Sequence, residues 1–259
     1  MGDTRLSGRR ILVVGAGQQD HGLEDPPIGN GRAMSVAFAR EGASLALTDI
    51  DPVSLAATDE LVRAEGAETV TVVADASEEE GIAAMFEQAA AALGGLDGLV
   101  MNVGIGAGLG LAGTSAADWD RVMAVNLRSH FLGCRMALST FTDGGSVVLI
   151  GSLAGRESMP IPAYGASKAA LESLCRNAAV EGAPAVRVNL LAPGLIDTSL
   201  GRLATKLNPG RAQVRIPAAR HGTAWEVASC AVFLLGEDSS YVTGQTLVAD
   251  GGLGVAMRT

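Results

Sequence analysis

Two side chains four positions apart, Tyr164 and Lys168, offer the clearest chemistry in this sequence. On a helix, positions i and i+4 share a face, so the phenol and the ammonium would converge on one cleft. A free phenol has a pKa near ~10 and is a poor base at neutral pH, but a neighbouring cation stabilises the phenolate. Tyr164 thereby becomes a candidate general acid/base. Ser152 stands 12 residues earlier, just after the apolar run 146–150 and Gly151. A hydroxyl there could hydrogen-bond a substrate oxygen while the phenol exchanges a proton with it. The spacing Tyr-x-x-x-Lys arises by chance in many chains. With only 2 tyrosines in 259 residues, however, one that is paired with lysine and preceded by such a serine is harder to dismiss.

A second cluster lies near the N-terminus. Gly15-Ala16-Gly17 follows the apolar run 11–14, and Gly29-Asn30-Gly31 opens a helical pattern through Arg32 and Ala33. Glycines here would let the backbone approach a pyrophosphate at a helix N-terminus, where free N–H groups and the helix dipole favour negative charge. Taken alone, the same glycines would serve a plain structural turn. Asp49 comes 18 residues after Gly31, in Thr48-Asp49-Ile50-Asp51. A carboxylate at this point can accept hydrogen bonds from both ribose hydroxyls of adenosine and would repel a 2′-phosphate, which favours NAD over NADP. No Lys or Arg lies between Gly15 and Gly31 to bind such a phosphate. The alternative role for Asp49 is to cap the next helix. The positive ring of a bound nicotinamide would further favour the Tyr164 phenolate.

The elements that must position these residues alternate along the chain. Short apolar or β-branched runs at 11–14, 44–48, 69–74, 98–101, 146–150, 186–191 and 246–248 read as strands. Amphipathic stretches at 31–41, 53–65, 78–93, 116–139, 163–181 and 225–236 read as helices between them. That alternation predicts an α/β fold, a doubly wound parallel sheet of the Rossmann type with about seven strands and helices on both faces. No linker, repeat or low-complexity segment divides residues 1–259, so a single domain is expected. In such sheets ligands sit outside the carboxyl ends of the strands, which is where Gly15, Asp49 and Ser152 fall.

Composition narrows the partners. A formal charge of −9, a pI near 4.8 and no long basic run argue against a nucleic-acid surface. The apolar fraction of 48% can fill a substantial core. Cys134, Cys175 and Cys230 lie far apart with no Cys-x-x-Cys pair, which suggests neither a disulfide framework nor a metal site. They read as reduced, mostly buried thiols. The N-terminal residues MGDTRLSGRR contain no apolar signal-peptide core, and no stretch approaches the ~18 apolar residues of a membrane span. A cytoplasmic location is expected.

Together these residues resemble the short-chain dehydrogenase/reductase superfamily, from about Gly8 to Gly252. Asp75, in Ala74-Asp75-Ala76, falls where that family places an aspartate beside the adenine ring. Met101-Asn102-Val103-Gly104 resembles its Asn-Asn-Ala-Gly turn, with the first Asn and the Ala replaced. Asn126, in Val125-Asn126-Leu127, matches the catalytic-helix asparagine, to which the family assigns a water linking the lysine to solvent. Pro193-Gly194-Leu195-Ile196-Asp197-Thr198 resembles the segment whose backbone and threonine hold the nicotinamide carboxamide. Arg220-His221-Gly222, Val242-Thr243-Gly244-Gln245 and Asp250-Gly251-Gly252 complete the order of motifs. The resemblance implies catalytic Asn126, Ser152, Tyr164 and Lys168. It also implies NAD held by Gly15, Gly29, Gly31, Asp49, Asp75, Asn102, Gly104, Tyr164, Lys168, Pro193, Gly194 and Thr198, and no metal. Hydride would pass between nicotinamide and a secondary alcohol or ketone. A homo-oligomer, usually a tetramer, would pair helices 116–139 and 163–181, with Ala169, Ala170 and Ala178 allowing close approach.

Departures from the pattern are local. The family's second glycine usually comes four residues after the first, whereas Gly29 comes 14 after Gly15, an apparent insertion of about ten residues that includes Asp20, His21, Glu24, Asp25, Pro26 and Pro27. It could wall the cofactor, meet another subunit, or be a tolerated surface loop. No role is assigned to His21. Between Pro193 and His221 the family has a mobile substrate lid, about 195–220. Leu200, Leu203, Leu207 and Ile216 there suggest an apolar face towards the cleft, and the opposite face carries Arg202, Lys206, Arg211, Arg215 and Arg220 with Asp197 as its single acidic residue. Those cations could greet an anionic substrate or form a solvated face. Two other functions stay open: an NADPH-type 3-oxoacyl thioester reductase, which Asp49 disfavours, and a non-catalytic dinucleotide sensor, which intact Tyr164 and Lys168 disfavour.

Overall fold

The computed structural model describes residues 4–141 and 143–256; the first and last three residues of the expected 1–259 domain and Thr142 lie outside that part. The chain runs β1 (Arg10–Val14), α1 (Asn30–Arg40), β2 (Ser44–Asp49), α2 (Pro52–Ala64), β3 (Thr69–Val73), α3 (Glu79–Leu93) and β4 (Gly98–Met101). It continues through α4 (Ala116–Met123), a π turn (Ala124–Arg128), α5 (Ser129–Thr140), β5 (Gly145–Ile150), α6 (Pro162–Gly182) and β6 (Val186–Pro193). A two-residue pair, β7 (Ile196–Asp197) and β8 (Gly222–Thr223), brackets α7 (Ser199–Leu207). The chain then forms α8 (Ala224–Leu235), β9 (Thr246–Ala249) and α9 (Leu253–Ala256).

Seven strands form one sheet in the order β3-β2-β1-β4-β5-β6-β9, and every pairing is parallel. Parallel strands cannot be joined by hairpins, so each crossover carries a helix across one face or the other. The side chains of β1 show the result. Ile11 and Val13 pack into the core shared with α1, α2 and α8, while Leu12 and Val14 join the opposite core with α3, α5 and α6. With both faces covered, the strand is apolar at every position except its first.

The direction of winding reverses between β1 and β4, which leaves a crevice at their carboxyl ends. Two departures from the expected elements bear on that crevice. The predicted helix 116–139 is two helices separated by the π turn, and the lid region carries a helix of its own, α7. Its apolar face is less enclosed than expected, since Leu200 and Leu207 are exposed. Ala178 also packs inward on α6, whereas Ala169 lies on the surface.

Candidate active site

At the first strand-to-helix turn the backbone is built for close approach. Gly15 has a φ of 86°, in the left-handed region, and a Cβ there would lie 2.9 Å from the side chain of Val103. At Gly31 an added Cβ would collide with the carbonyl oxygen of Gly15, so the helix can begin against the strand end only with glycine. Gly29 is the N-cap of α1 and supplies no side-chain cap. The first turn therefore presents uncapped N–H groups towards the crevice, an arrangement suited to a phosphate. Asn102 hydrogen-bonds the carbonyl of Gly15 through Nδ2 at 2.7 Å, which ties the end of β4 to this cradle.

Asp49 ends β2 and does not cap the next helix. Asp51 does that, accepting from the N–H groups of Val53 at 3.0 Å and Ser54 at 3.4 Å, a contact worth about 1 kcal/mol. The carboxylate of Asp49 instead accepts from the N–H of Gly17 at 2.9 Å and that of Asp51 at 3.1 Å, so two backbone donors fix it beside the cradle. Arg32, in the first turn of α1, lies within electrostatic reach of Asp20 and Asp49. Two of its three nitrogens bond α2, with Nε on Thr58 Oγ1 at 2.9 Å and Nη2 on the Ser54 carbonyl at 3.2 Å. Asp75 closes an Asx turn by accepting from Ser77 N–H at 2.8 Å.

The connection between Gly17 and Gly29 is closed at its base by Gln18, whose Oε1 accepts from Gly29 N–H at 2.7 Å. The Gln18 backbone is held from the other side, since its N–H donates to Ser54 Oγ and its carbonyl accepts from that hydroxyl. Towards the loop's end, Pro27 accepts from Ser199 Oγ at 2.9 Å. The segment 18–27 thus touches the first residue of α7, in the region expected to form a lid. Thr198 is the N-cap of that helix, its Oγ1 accepting from Gly201 N–H at 3.0 Å. Gly194, after Pro193 at the end of β6, donates its N–H to the carbonyl of Ala249 at 3.0 Å.

Ser152, Tyr164 and Lys168 converge at the end of β5. The Ser152 hydroxyl stands close enough to the Tyr164 phenol to favour its ionised form, and Ser152 Oγ accepts from Ala154 N–H at 3.2 Å. Burial pushes the Tyr164 phenol up, while the nearby Ser152 hydroxyl and the positive charge of Arg211 oppose the rise. Lys168 is 3% exposed. Its Nζ donates to the Ile150 carbonyl at 2.8 Å and lies 5.8 Å from the centre of the Tyr164 ring. Burial lowers its pKa to about 7. A Cβ on Gly104 would lie 3.3 Å from Nζ, so the turn after β4 lines the same cleft.

Asn126 sits in the π turn, a distortion that re-aims side chains at functional sites. Its Nδ2 donates to the Ile105 carbonyl at 2.9 Å and to Ser167 Oγ at 3.1 Å, and its Oδ1 accepts from Ile105 N–H at 2.8 Å. The side chain clamps the β4 turn to α6, and both amide donors are spent on that clamp.

Residues 28–254 match the family model described as enoyl-(acyl carrier protein) reductase. The chain is 35% identical to levodione reductase of Leifsonia aquatica over 98% of this chain and 97% of that protein. The levodione reductase crystal structure superimposes with a TM-score of 0.90 at 33% identity, covering 97% of this chain and all of that one. The chain belongs to the short-chain dehydrogenase/reductase family. Members of this oxidoreductase family use nicotinamide cofactors. A 7α-hydroxysteroid dehydrogenase complexed with NADH and 7-oxo glycochenodeoxycholic acid matches with a TM-score of 0.88 at 28% identity, covering 96% of each chain. Another relative, 39% identical over 85% of this chain and 99% of its own length, is an inactive 2-(S)-hydroxypropyl-CoM dehydrogenase 2 from Xanthobacter autotrophicus.

Two residues of this short-chain dehydrogenase/reductase act electrostatically on Lys168 or Tyr164 without having been singled out by motif. His130 is fully buried, with Nδ1 at 3.0 Å from Ser129 Oγ; burial and the Lys168 charge hold its pKa well below the usual histidine value. Arg211, one of five lid cations in the sequence, is the one whose charge reaches Tyr164. Among the thiols, Cys134 and Cys175 are buried and pushed up to about 12. Among the described residues no helix is long and apolar enough to cross a membrane.

Proposed function

We propose that this chain transfers hydride between NAD(H) and a secondary alcohol or ketone, with Tyr164 as the general acid/base. The convergence of Ser152, Tyr164 and Lys168 at the end of β5, on the crevice that also holds the Gly15 and Gly31 cradle, is the observation that carries this reading. The nicotinamide ring supplies or accepts the hydride. Gly15, Gly29 and Gly31 would hold the diphosphate, Asp49 the adenosine ribose, Asp75 the adenine, and Asn102, Gly104, Pro193, Gly194 and Thr198 the nicotinamide half. Ser152 orients the substrate oxygen through its hydroxyl. Tyr164 gives its proton to that oxygen in reduction and takes it back in oxidation. Lys168, anchored on the Ile150 carbonyl, supports the phenolate by its charge, and Asn126 holds the turn beside it. Residues 195–220 act as the lid of a single catalytic domain, and the protein works in the cytoplasm.

Asp49 supports NAD, because two backbone N–H groups already orient its carboxylate and Nε and Nη2 of Arg32 are bonded to α2. A second reading, an NADPH-type reductase of 3-oxoacyl thioesters, draws on the acyl-carrier description of the matching family model. Following NADH and NADPH absorbance over cyclic alcohols, hydroxysteroids, sugars and 3-hydroxyacyl thioesters separates the two. The wild type should show higher kcat/KM with NAD than with NADP, and Asp49→Ala should narrow the gap. A wild-type preference for NADP would replace the first reading by the second.

A further inference from the structure

The cations of the lid are not equivalent. Arg202 gives Nε and Nη2 to the two oxygens of Asp197 at 2.8 and 3.0 Å, and Arg220 grips Glu226 at 2.9 and 2.6 Å. Both are neutralised at the surface. Lys206 and Arg215 are exposed to solvent. Arg211, in the 3-10 turn Pro209–Gln213 after α7, is half-buried, and its Nε is sealed from solvent with no hydrogen-bond partner. Among the described residues no carboxylate pairs with it, and its charge acts on the Tyr164 phenol.

Sealing a guanidinium nitrogen from solvent without a hydrogen-bond partner is costly, and a buried polar atom left unpartnered calls for an explanation. A partner that arrives with the substrate supplies one. Arginine suits that task, because its planar fork offers parallel donors to an oxyanion and keeps its charge when desolvated. Since the same charge reaches the phenol, an anion bound there is carried by a molecule close to the proton donor. Resting on the hydride-transfer reading of Tyr164, we propose that Arg211 anchors an anionic group, a carboxylate, sulfonate or phosphate, that is part of the substrate itself.

The test uses NADH-dependent reduction of 3-oxobutanoate, 4-oxopentanoate and 5-oxohexanoate, each beside its methyl ester, with a sulfonate and a phosphonate of matched length to identify the oxyanion. In the wild type at least one anion should have a higher kcat/KM than its neutral partner. Arg211→Met should shrink that acid-to-ester ratio by about 10- to 100-fold, the range expected for a charge-assisted hydrogen bond, and Arg211→Lys should retain part of it. Several results would overturn the anchor. One is a wild type that favours no anion. Another is an Arg211→Met variant whose kcat falls equally for acid and ester, as support of the phenolate alone would give. A third is an unchanged ratio with weakened NADH binding in calorimetry, as a cofactor-phosphate contact would give. If no ketone or alcohol is turned over, the hydride-transfer reading fails instead. The anchor is then read from calorimetric binding of the oxo acids to the NADH-loaded protein, and equal affinity in wild type and Arg211→Met overturns it.

Discussion

Tyr164 and Lys168 illustrate how burial and hydrogen bonding set a residue's chemistry together. Burial pushes the phenol up and the ammonium down, so neither ionised form is favoured by the cavity itself. What opposes burial at the phenol is the Ser152 hydroxyl and the charge of Arg211. Replacing Tyr164 by Phe removes the proton relay and leaves the backbone cradle intact. Turnover should fall by at least ~10²-fold, with NADH affinity in calorimetry changed far less; near-normal turnover in a steady-state assay would rule out the assigned acid/base. Lys168 gives a second prediction, on stability. Its pKa is near 7 in the folded protein and about 10.5 in an unfolded chain. The unfolded chain binds the extra proton between these values, so the penalty for burying the ammonium is fully present below pH 7 and fades as pH rises towards 10.5. At ~1.4 kcal/mol per pKa unit the penalty is on the order of several kcal/mol. Lys168→Met should therefore gain most in Tm relative to wild type at pH 6.5, and the gain should shrink at pH 8 and again at pH 9.5. A Tm difference independent of pH would show that the fold does not lower the pKa of the lysine.

At the scale of elements, the sequence made the sheet readable because its interior strands are covered on both faces, and continuous apolar runs such as 98–101 and 146–150 stand out between helical patterns. The π turn at Ala124–Arg128 did not stand out. One extra residue in a helical turn shifts the apolar stripe too little for periodicity to register, so 116–139 read as one helix. The cleft was legible in part. Ser152, Tyr164 and Lys168 were spaced by local geometry, whereas the distinction of Arg211 from Arg202 and Arg220 depends on pairing with Asp197 and Glu226, which no spacing rule carries. Nor could spacing show that Gln18 staples Gly29, or that Pro27 meets Ser199. These contacts sharpen a prediction about the inserted segment. Residues 18–27 stand between the phosphate cradle and the lid, while the steric demand at Gly15 and Gly31 comes from Val103, Asn102 and the backbone of Gly15. Shortening the loop to the usual turn length should leave a folded protein that still binds NAD, with weaker affinity because the lid loses its contact at Pro27. Complete loss of calorimetric NAD binding in a sample with native circular dichroism would show that the loop itself builds the site.

At the scale of the whole molecule, the surface of a single copy leaves apolar side chains partly exposed on neighbouring helices. Phe131 on α5 is 46% exposed and Val180 on α6 is 80% exposed, and Trp119 on α4 is partly exposed as well. Isolated exposed hydrophobics are ordinary on monomers. Here they fall on elements that pack consecutively, α4 and α5 being joined by the π turn and both lying against α6, and Ala169 on α6 adds a surface position with little bulk. A two-fold axis along these helices would bury the same patch of both copies at once, which is the commonest way for a chain of this size to associate. The overall charge of −9 opposes association at long range, so the contact has to be short-range and apolar, and screening by salt should favour it. Light scattering coupled to gel filtration should accordingly give a mass that is a multiple of the 26.2 kDa chain, and low salt should shift it downward if it shifts at all. Val180→Arg and Phe131→Glu, each placing a charge where apolar surface would be covered, should lower the assembled fraction at micromolar concentration while circular dichroism stays native. A wild type that elutes at 26.2 kDa across that range would leave these helices exposed to solvent and the predicted assembly refuted.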